Sequence, residues 1–437
     1  MKPVFKLNAQ NDPLTIQRNI SGVWIGISII LQVVFGFFLG HVEDMRISMA
    51  TGYLVGTGQN PYVPQNLTAI FHDASFQGIS SIGYPPPWPL ILGLMYLISY
   101  KIVPILFLYN LAIKIPIIAA NIALVFLVGK ILRCLKTSEK SIKLAQIFLL
   151  FNPFLLLTTS AWGQIDSIVA LLVISSLLML DTKKFALSAI LLGTAISFKP
   201  IALPVLPVVY LFVFMNSRGN VIRYLLISLL TILILCITPY FIFGWNPTII
   251  LQHWNAHLNM NGGLSWITVL QPLDIPNFPF LLGWPIWFLW VPVLGIATWF
   301  LRKRVKDFVD LIKISIGMVL LFYVTRTWVS EPNINLILPS LVILTSIREM
   351  SQIKLTLVWA LPLAFSFFNV ALFQLLFLSA PTLMTSLLNF SADTYSIRKF
   401  ILAALSIGWL VFACLVIRVC FKPQVLKKTM ALSPQGT

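Results

Sequence analysis

Two adjacent carboxylates, Glu43 and Asp44, stand in "GHVEDMRISMATGYLVGTGQNPY" (40–62), directly after an apolar run, in a chain of 437 residues with only 13 acids. A carboxylate beside a bilayer, with a low dielectric and few competing charges around it, has the surroundings that tune a general base. Helix capping is the plainer use. Asp44 opens a helical repeat of Met45, Met49, Ala50, Tyr53 and Leu54 that Gly56 and Gly58 stop, and a capping side chain stabilises by about 1 kcal/mol.

The cations that escape the basic clusters are the next candidates. Lys114 lies in an apolar run, Lys199 precedes Pro200 in "AISFKPIALP" (195–204), and Arg326 stands in "YVTRTWVSEPNINLILP" (323–339). A charge at the centre of a membrane helix costs about 2.5–3.5 kcal/mol on insertion scales. Such a residue either snorkels to the headgroups or holds an anion such as phosphate. Glu331, before Pro332, is a candidate partner for Arg326 or for a substrate.

Other polar residues gather near the same breaks. Gln164 and Asp166 end "NPFLLLTTSAWGQIDS" (152–167), where they either shape a helix corner or hydrogen-bond a polyhydroxylated substrate. Tyr84 opens the rigid, aromatic "GYPPPWPL" (83–90), a segment able to form a groove wall. His253 and His257, spaced i, i+4 in "GWNPTIILQHWNAHLNMNGGLSW" (244–266), accompany Trp and Asn as a sugar-binding surface would. With no acid before Asp274 they make a weak metal motif. No metal-ligand set is assigned, and a divalent cation remains admissible as a cofactor.

The elements that must position these residues are membrane helices. Hydrophobic residues make up 58% of the chain and charged residues 10%, with a mean hydropathy of +0.92. That composition excludes an ordinary soluble globule. Runs such as 22–40 and 400–419 approach the roughly 20 residues needed to cross a bilayer as helix. The net charge of +17 sits in short clusters between apolar runs, the pattern of cytoplasmic loops rather than of a nucleic-acid surface. Cys134, Cys236, Cys414 and Cys420 form neither a disulfide framework nor a metal spacing.

Alternating the basic clusters gives an all-α polytopic chain of about 12 spans with both ends inside. Residues 1–19 form a cytoplasmic tail, 20–421 a single transmembrane domain and 422–437 a second tail. Spans are expected near 20–40, 103–129, 144–160, 167–181, 185–199, 201–215, 224–243, 281–301, 308–328, 333–347, 355–378 and 399–421. The short run 87–100 reads as an interfacial or re-entrant helix. This topology puts two long loops, 41–86 and 244–280, on the outer side, together with all four histidines and seven of the 13 acids. Chemistry is therefore expected at the outer surface.

"VEDMRISMATGYLVGTGQNPYV" with "YPPPWPLIL" resembles the first outer loop of the GT-C class of membrane glycosyltransferases, in its polyprenol-phosphate-mannose-dependent mannosyltransferase branch. "NPFLLLTTSAWGQIDSIVALL" and "SFKPIALPVLPVVYLF" are similar to the next two segments, and "RTWVSEPNINLILP" resembles a late Glu/Asn-Leu-Pro element. The resemblance covers roughly residues 20–215. It implies a sugar, mannose first, moved with inversion from a polyprenyl-phosphate donor to a glycolipid or glycan acceptor outside the cytoplasm. Asp44 matches the loop acid that deprotonates the acceptor, with Glu43 as substitute and Asp73 in the place of a paired acid further along. Lys199, with Arg326 or Lys114, would stabilise the departing lipid phosphate.

The competing class is a twelve-span transporter or lipid-carrier flippase, which explains Lys114 and the Pro-interrupted helices. A membrane scaffold that binds a partner through its outer loops is a third. No internal repeat relates the two halves, and the carboxylates gather at one surface, which favours the transferase. A prokaryotic cell membrane is the expected location, or the endoplasmic reticulum in a eukaryote. Partners are the lipid-linked donor, the acceptor and the bilayer; nucleic acid is not among them.

Overall fold

The computed structural model describes residues 20–246, 248, 260, 262–274, 286 and 288–422. Helices dominate: α1 (Gly22–Phe38), α2 (Val42–Gly56), α3 (Pro87–Ile98), α4 (Leu106–Cys134), α5 (Glu139–Phe151), α6 (Asp166–Asp181), α7 (Phe185–Phe198), α8 (Leu206–Asn216), α9 (Val221–Phe243), α10 (Trp290–Leu301), α11 (Phe308–Thr325), α12 (Leu338–Ser346), α13 (Gln352–Phe368), α14 (Pro381–Asp393) and α15 (Tyr395–Cys420). Strand pairing among the described residues is slight. Gly262–Gly263 runs parallel to Trp328–Val329, and two isolated bridges join Gly40 to Leu376 and Gln65 to Ile79.

Five helical stretches, 106–134, 139–161, 218–243, 308–325 and 395–420, are long and apolar enough to cross a membrane. Shorter apolar helices include 22–38, 87–98, 185–198, 200–216, 290–301 and 352–368. The chain is a helical membrane protein. Length and apolarity alone thus single out five crossings among the described residues rather than twelve. Side chains on α9 such as Ile222, Leu226, Leu230 and Phe241 stay exposed, as a lipid-facing surface requires.

Proline explains most departures from the expected spans. The stretch 333–347 is broken: Glu331–Leu336 is a 3-10 turn, and α12 that follows is only nine residues. Pro332 and Pro339 each remove a backbone donor there. Residues 201–215 likewise divide into a 3-10 segment, Pro200–Val205, and α8. The expected 355–378 helix stops at Phe368, and Val370 takes a left-handed conformation. The 13-residue α14 falls in a stretch that hydropathy leaves unassigned.

The first long loop is mostly folded. Within α2, Met45, Met49 and Ala50 are buried in a core with Trp88, Leu92 and Tyr109, and Leu54 is buried as well. α2 and α3 pack closely, and Gly52 makes this possible. A Cβ there would come within 2.1 Å of the Tyr109 hydroxyl and 2.6 Å of the Leu92 carbonyl oxygen. The 12-residue α3 is about 18 Å long, short of the roughly 30 Å hydrocarbon thickness.

Candidate functional site

Asp44 occupies the first turn of α2, but His41 is the N-cap, and its side chain makes no capping bond. The Asp44 carboxylate instead turns to the corner after α5. Its Oδ2 accepts from the Trp162 indole N–H and from Gln164 Nε2 at 2.9 Å. His41 Nδ1 lies 3.4 Å from the same oxygen. Among the described residues no donor engages Oδ1, and the Asp44 side chain keeps 38% of its exposure. One oxygen is held and the other is open.

The corner is built to deliver those donors. After Pro153–Leu156 the chain loosens into a π turn, Leu157–Ala161, and Gly163 then takes φ +100. A side chain at Gly163 would be strained by that φ, and its Cβ would stand 2.5 Å from Met45 Sδ. Polar side chains clamp the π turn from both sides. Asn121 donates to Thr159 Oγ1 at 2.9 Å and to Gln32 at 2.8 Å, and Asn335 donates to Thr158 Oγ1 at 2.7 Å. π turns concentrate at functional sites because they re-aim the residues that follow.

Tyr84 decides which way Gln164 faces. Its hydroxyl donates to Gln164 Oε1 at 2.8 Å, so the amide NH₂ must point at Asp44. Burial raises the Tyr84 pKa well above its ordinary value, and the nearby Asp44 and Asp166 charges push it further the same way. The phenol therefore keeps the proton it donates.

Lys199 closes the cluster from below. Pro200 ends α7 and forces the residue before it to be extended, and Lys199 sits at φ −152, ψ 117. Its ammonium reaches both oxygens of Asp166 at 2.9 and 2.8 Å and Gln164 Oε1 at 3.4 Å. Asp166 is fully buried at the start of α6, where the helix N-terminus also favours its charge. The Lys199 side chain keeps 12% of its exposure.

Lys114 is buried within α4. Its ammonium donates to the Leu39 carbonyl at the end of α1 and to the Ala161 carbonyl at 2.7 Å. It thereby ties the segment leading to Asp44 to the segment leading to Trp162, and it does not open to the surface.

His41 and Trp162 belong to the cluster although motif reading leaves them out. Their rings stack at 4.3 Å with planes 4° apart. Burial lowers the His41 pKa below its ordinary value; Asp44 and Glu43 oppose that shift, and Arg46 adds to it. The His-x-x-Asp spacing and a Trp two residues before Gln164 were the available signals.

Several expected members stand apart. Glu43 pairs with Arg46 at 2.6 Å and is 60% exposed. Asp73 caps a 3-10 turn by accepting from the Ser75 amide at 2.8 Å. Arg326 and Glu331 do not pair: Glu331 is buried and accepts from Asn369 at 3.1 Å. Burial raises the Glu331 pKa, opposed by a backbone N–H and by Asn369, while the nearby Asp44 charge adds to the rise. The Arg326 guanidinium lies over the Phe322 ring, 5.4 Å from its centroid, with no carboxylate partner among the described residues. His253 and His257 lie outside the described residues. No group of three His, Cys, Asp or Glu suited to hold a metal forms among the described residues.

The arrangement can take up a proton at Asp44 Oδ1 while fixed donors hold Oδ2. No protein-family model and no curated protein matches this chain.

Proposed function

We propose that this chain is an inverting membrane glycosyltransferase that moves a hexose, mannose first, from a polyprenyl-phosphate donor to a glycolipid or glycan hydroxyl. The observation that carries the reading is the half-held carboxylate of Asp44. Trp162 and Gln164 fix one oxygen, and the other is open, in a chain with only 13 acids. A twelve-crossing topology with this cluster on the extracytoplasmic side of a prokaryotic cell membrane fits that chemistry.

In this mechanism the acceptor hydroxyl approaches Asp44 Oδ1. Its oxygen attacks the anomeric carbon from the face opposite the phosphate. The new C–O bond forms as the anomeric carbon–phosphate oxygen bond breaks, and that electron pair leaves on the phosphate. The hydroxyl proton passes to Oδ1. A positioned base of this kind contributes about 10²–10⁴-fold.

Arg326, which has no carboxylate partner among the described residues, is the cation assigned to meet the departing phosphate. Lys199 is already committed to Asp166, so its main contribution is to hold Gln164 and hence Asp44. The lipid tail of the donor stays in the bilayer, and the protein need only orient the head.

The test is transfer from radiolabelled polyprenyl-phosphate-mannose and polyprenyl-phosphate-glucose to a native membrane lipid extract by the purified protein. Label appearing in an acceptor supports the reading. Failure with both donors over a widened set of acceptors would refute it in favour of a lipid-carrier flippase.

A further inference from the structure

At the far end of α6 and α7 from Asp166 and Lys199 the chain encloses a second, differently built space. The 16-residue α6 separates the two ends by roughly 23 Å. A cavity of about 390 Å³ lies there, lined by Lys183, Lys184, Asn220, Arg223 and Tyr224 over an apolar floor that includes Phe185 and Ile227. We propose that this cavity binds a phosphate-bearing anion, specifically the head of an anionic phospholipid.

Three independent features of the cavity agree on an anion. First, none of Lys183, Lys184 and Arg223 makes a side-chain hydrogen bond or ion pair among the described residues, and all three are exposed. Second, the start of α7 at Phe185 lines it. It has no side-chain cap and no acid in its first turn, so it presents N–H groups and a positive dipole end. Third, acid is missing from the lining. Asp181, close in sequence, is buried and is felt electrostatically by Cys134 at the end of α4.

A generally basic membrane face does not account for this. The other basic turns carry acids of their own: Glu139 beside Lys140, Asp307 and Asp310 beside Lys306, and Glu349 paired with Lys313 at 3.0 Å. Here cations, a helix start and a hollow coincide without one.

The walls favour a lipid over free phosphate. Leu187 and Ile190 on α7 and Ile222, Leu226 and Leu230 on α9 are exposed apolar side chains running away from the basic mouth. A ligand with a phosphate head and acyl tails satisfies both parts at once.

The experiment titrates the purified full-length protein in detergent with short-chain phosphatidylglycerol, short-chain phosphatidylcholine and inorganic phosphate, reading the melting temperature. The double variant Lys184→Gln/Arg223→Gln is compared with Lys140→Gln/Lys143→Gln, which removes the same charge from another basic turn. Saturable stabilisation by phosphatidylglycerol but not phosphatidylcholine is expected. Each lost cation should weaken binding about fivefold, so about 30-fold for the first double variant and little for the second. Inorganic phosphate acting alone, with the same variant sensitivity, would keep the anion site and overturn the lipid as its source. No saturable response to either anion, or equal losses in both double variants, would overturn the site itself.

Discussion

The two ends of the α6–α7 hairpin use lysine in opposite ways. At one end Lys199 is clasped by both oxygens of a fully buried Asp166, and Lys114 nearby spends its protons on backbone carbonyls. At the other end Lys183 and Lys184 are exposed around a hollow. Charge at the first end is structural, and the group left open there is an acid, Asp44. The difference shows why rarity of charge alone does not identify a reactive group. What matters is whether neighbours have already used its hydrogen-bonding capacity.

Removing the clasp has the largest expected effect. Lys199→Met leaves the Asp166 carboxylate buried without its cation. Uncompensated buried charge of this kind costs about 3–5 kcal/mol. The expected outcome is a large fall in melting temperature or failure to accumulate in the membrane, read by thermal melt and expression. Lys183→Met, at the open end, should leave the stability unchanged within about 0.5 kcal/mol, read by the same thermal melt.

A smaller break comes from Gly163→Ala. The left-handed φ and the approach to Met45 Sδ together predict about 1–3 kcal/mol of destabilisation and a displaced Gln164. Thermal melts measure the first effect, and a transfer rate falling more than the melt explains measures the second.

Trp162→Phe sharpens the picture further, because it keeps a ring for His41 to stack on and removes only the indole N–H. A hydrogen bond to a charged group contributes about 1.5–3 kcal/mol to stability, so the melt should fall by that order, and a fall of about tenfold or more in kcat is expected from the misoriented carboxylate. An unchanged kcat would mean that Gln164 alone orients the carboxylate.

The smallest effect is in the pH dependence. His41 binds a proton less readily when folded than its ordinary value of about 6.5 allows. The unfolded chain therefore takes up more protons as pH falls, and stability drains away as pH drops from about 6.5 through the lowered folded value. His41→Gln should flatten that part of a melt-versus-pH curve. The raised pKa of buried Glu331 works in the other direction, losing stability as pH rises from its ordinary value through the folded one.

Much of this site is legible in the chain. Asp44, Tyr84, Gln164, Asp166 and Lys199 all stand at Pro or Gly breaks, and scarce charge at a helix break is what the bottom-up reading selects. The roles are less legible. Glu43 and Asp44 are neighbours, but successive helical residues point about 100° apart, and only tertiary packing decides that Asp44 faces Trp162 while Glu43 meets Arg46. Asp73 looks like a second acid until the Ser75 amide claims it. The stacking of His41 on Trp162 joins residues 121 positions apart, which no local pattern announces. Helix type was read well from hydropathy. Span lengths were not, because Pro332, Pro339 and the left-handed Val370 interrupt runs that remain apolar throughout.

In the proposed reaction Asp44 Oδ1 accepts the acceptor's proton. The most direct measurement is the sugar-transfer rate of Asp44→Asn beside the parent protein and Glu43→Gln, each with its melting temperature. A loss of about 10²–10⁴-fold is expected for Asp44→Asn at an equal melt, with Glu43→Gln close to the parent. Equal rates for Asp44→Asn and the parent would contradict it and move the base elsewhere.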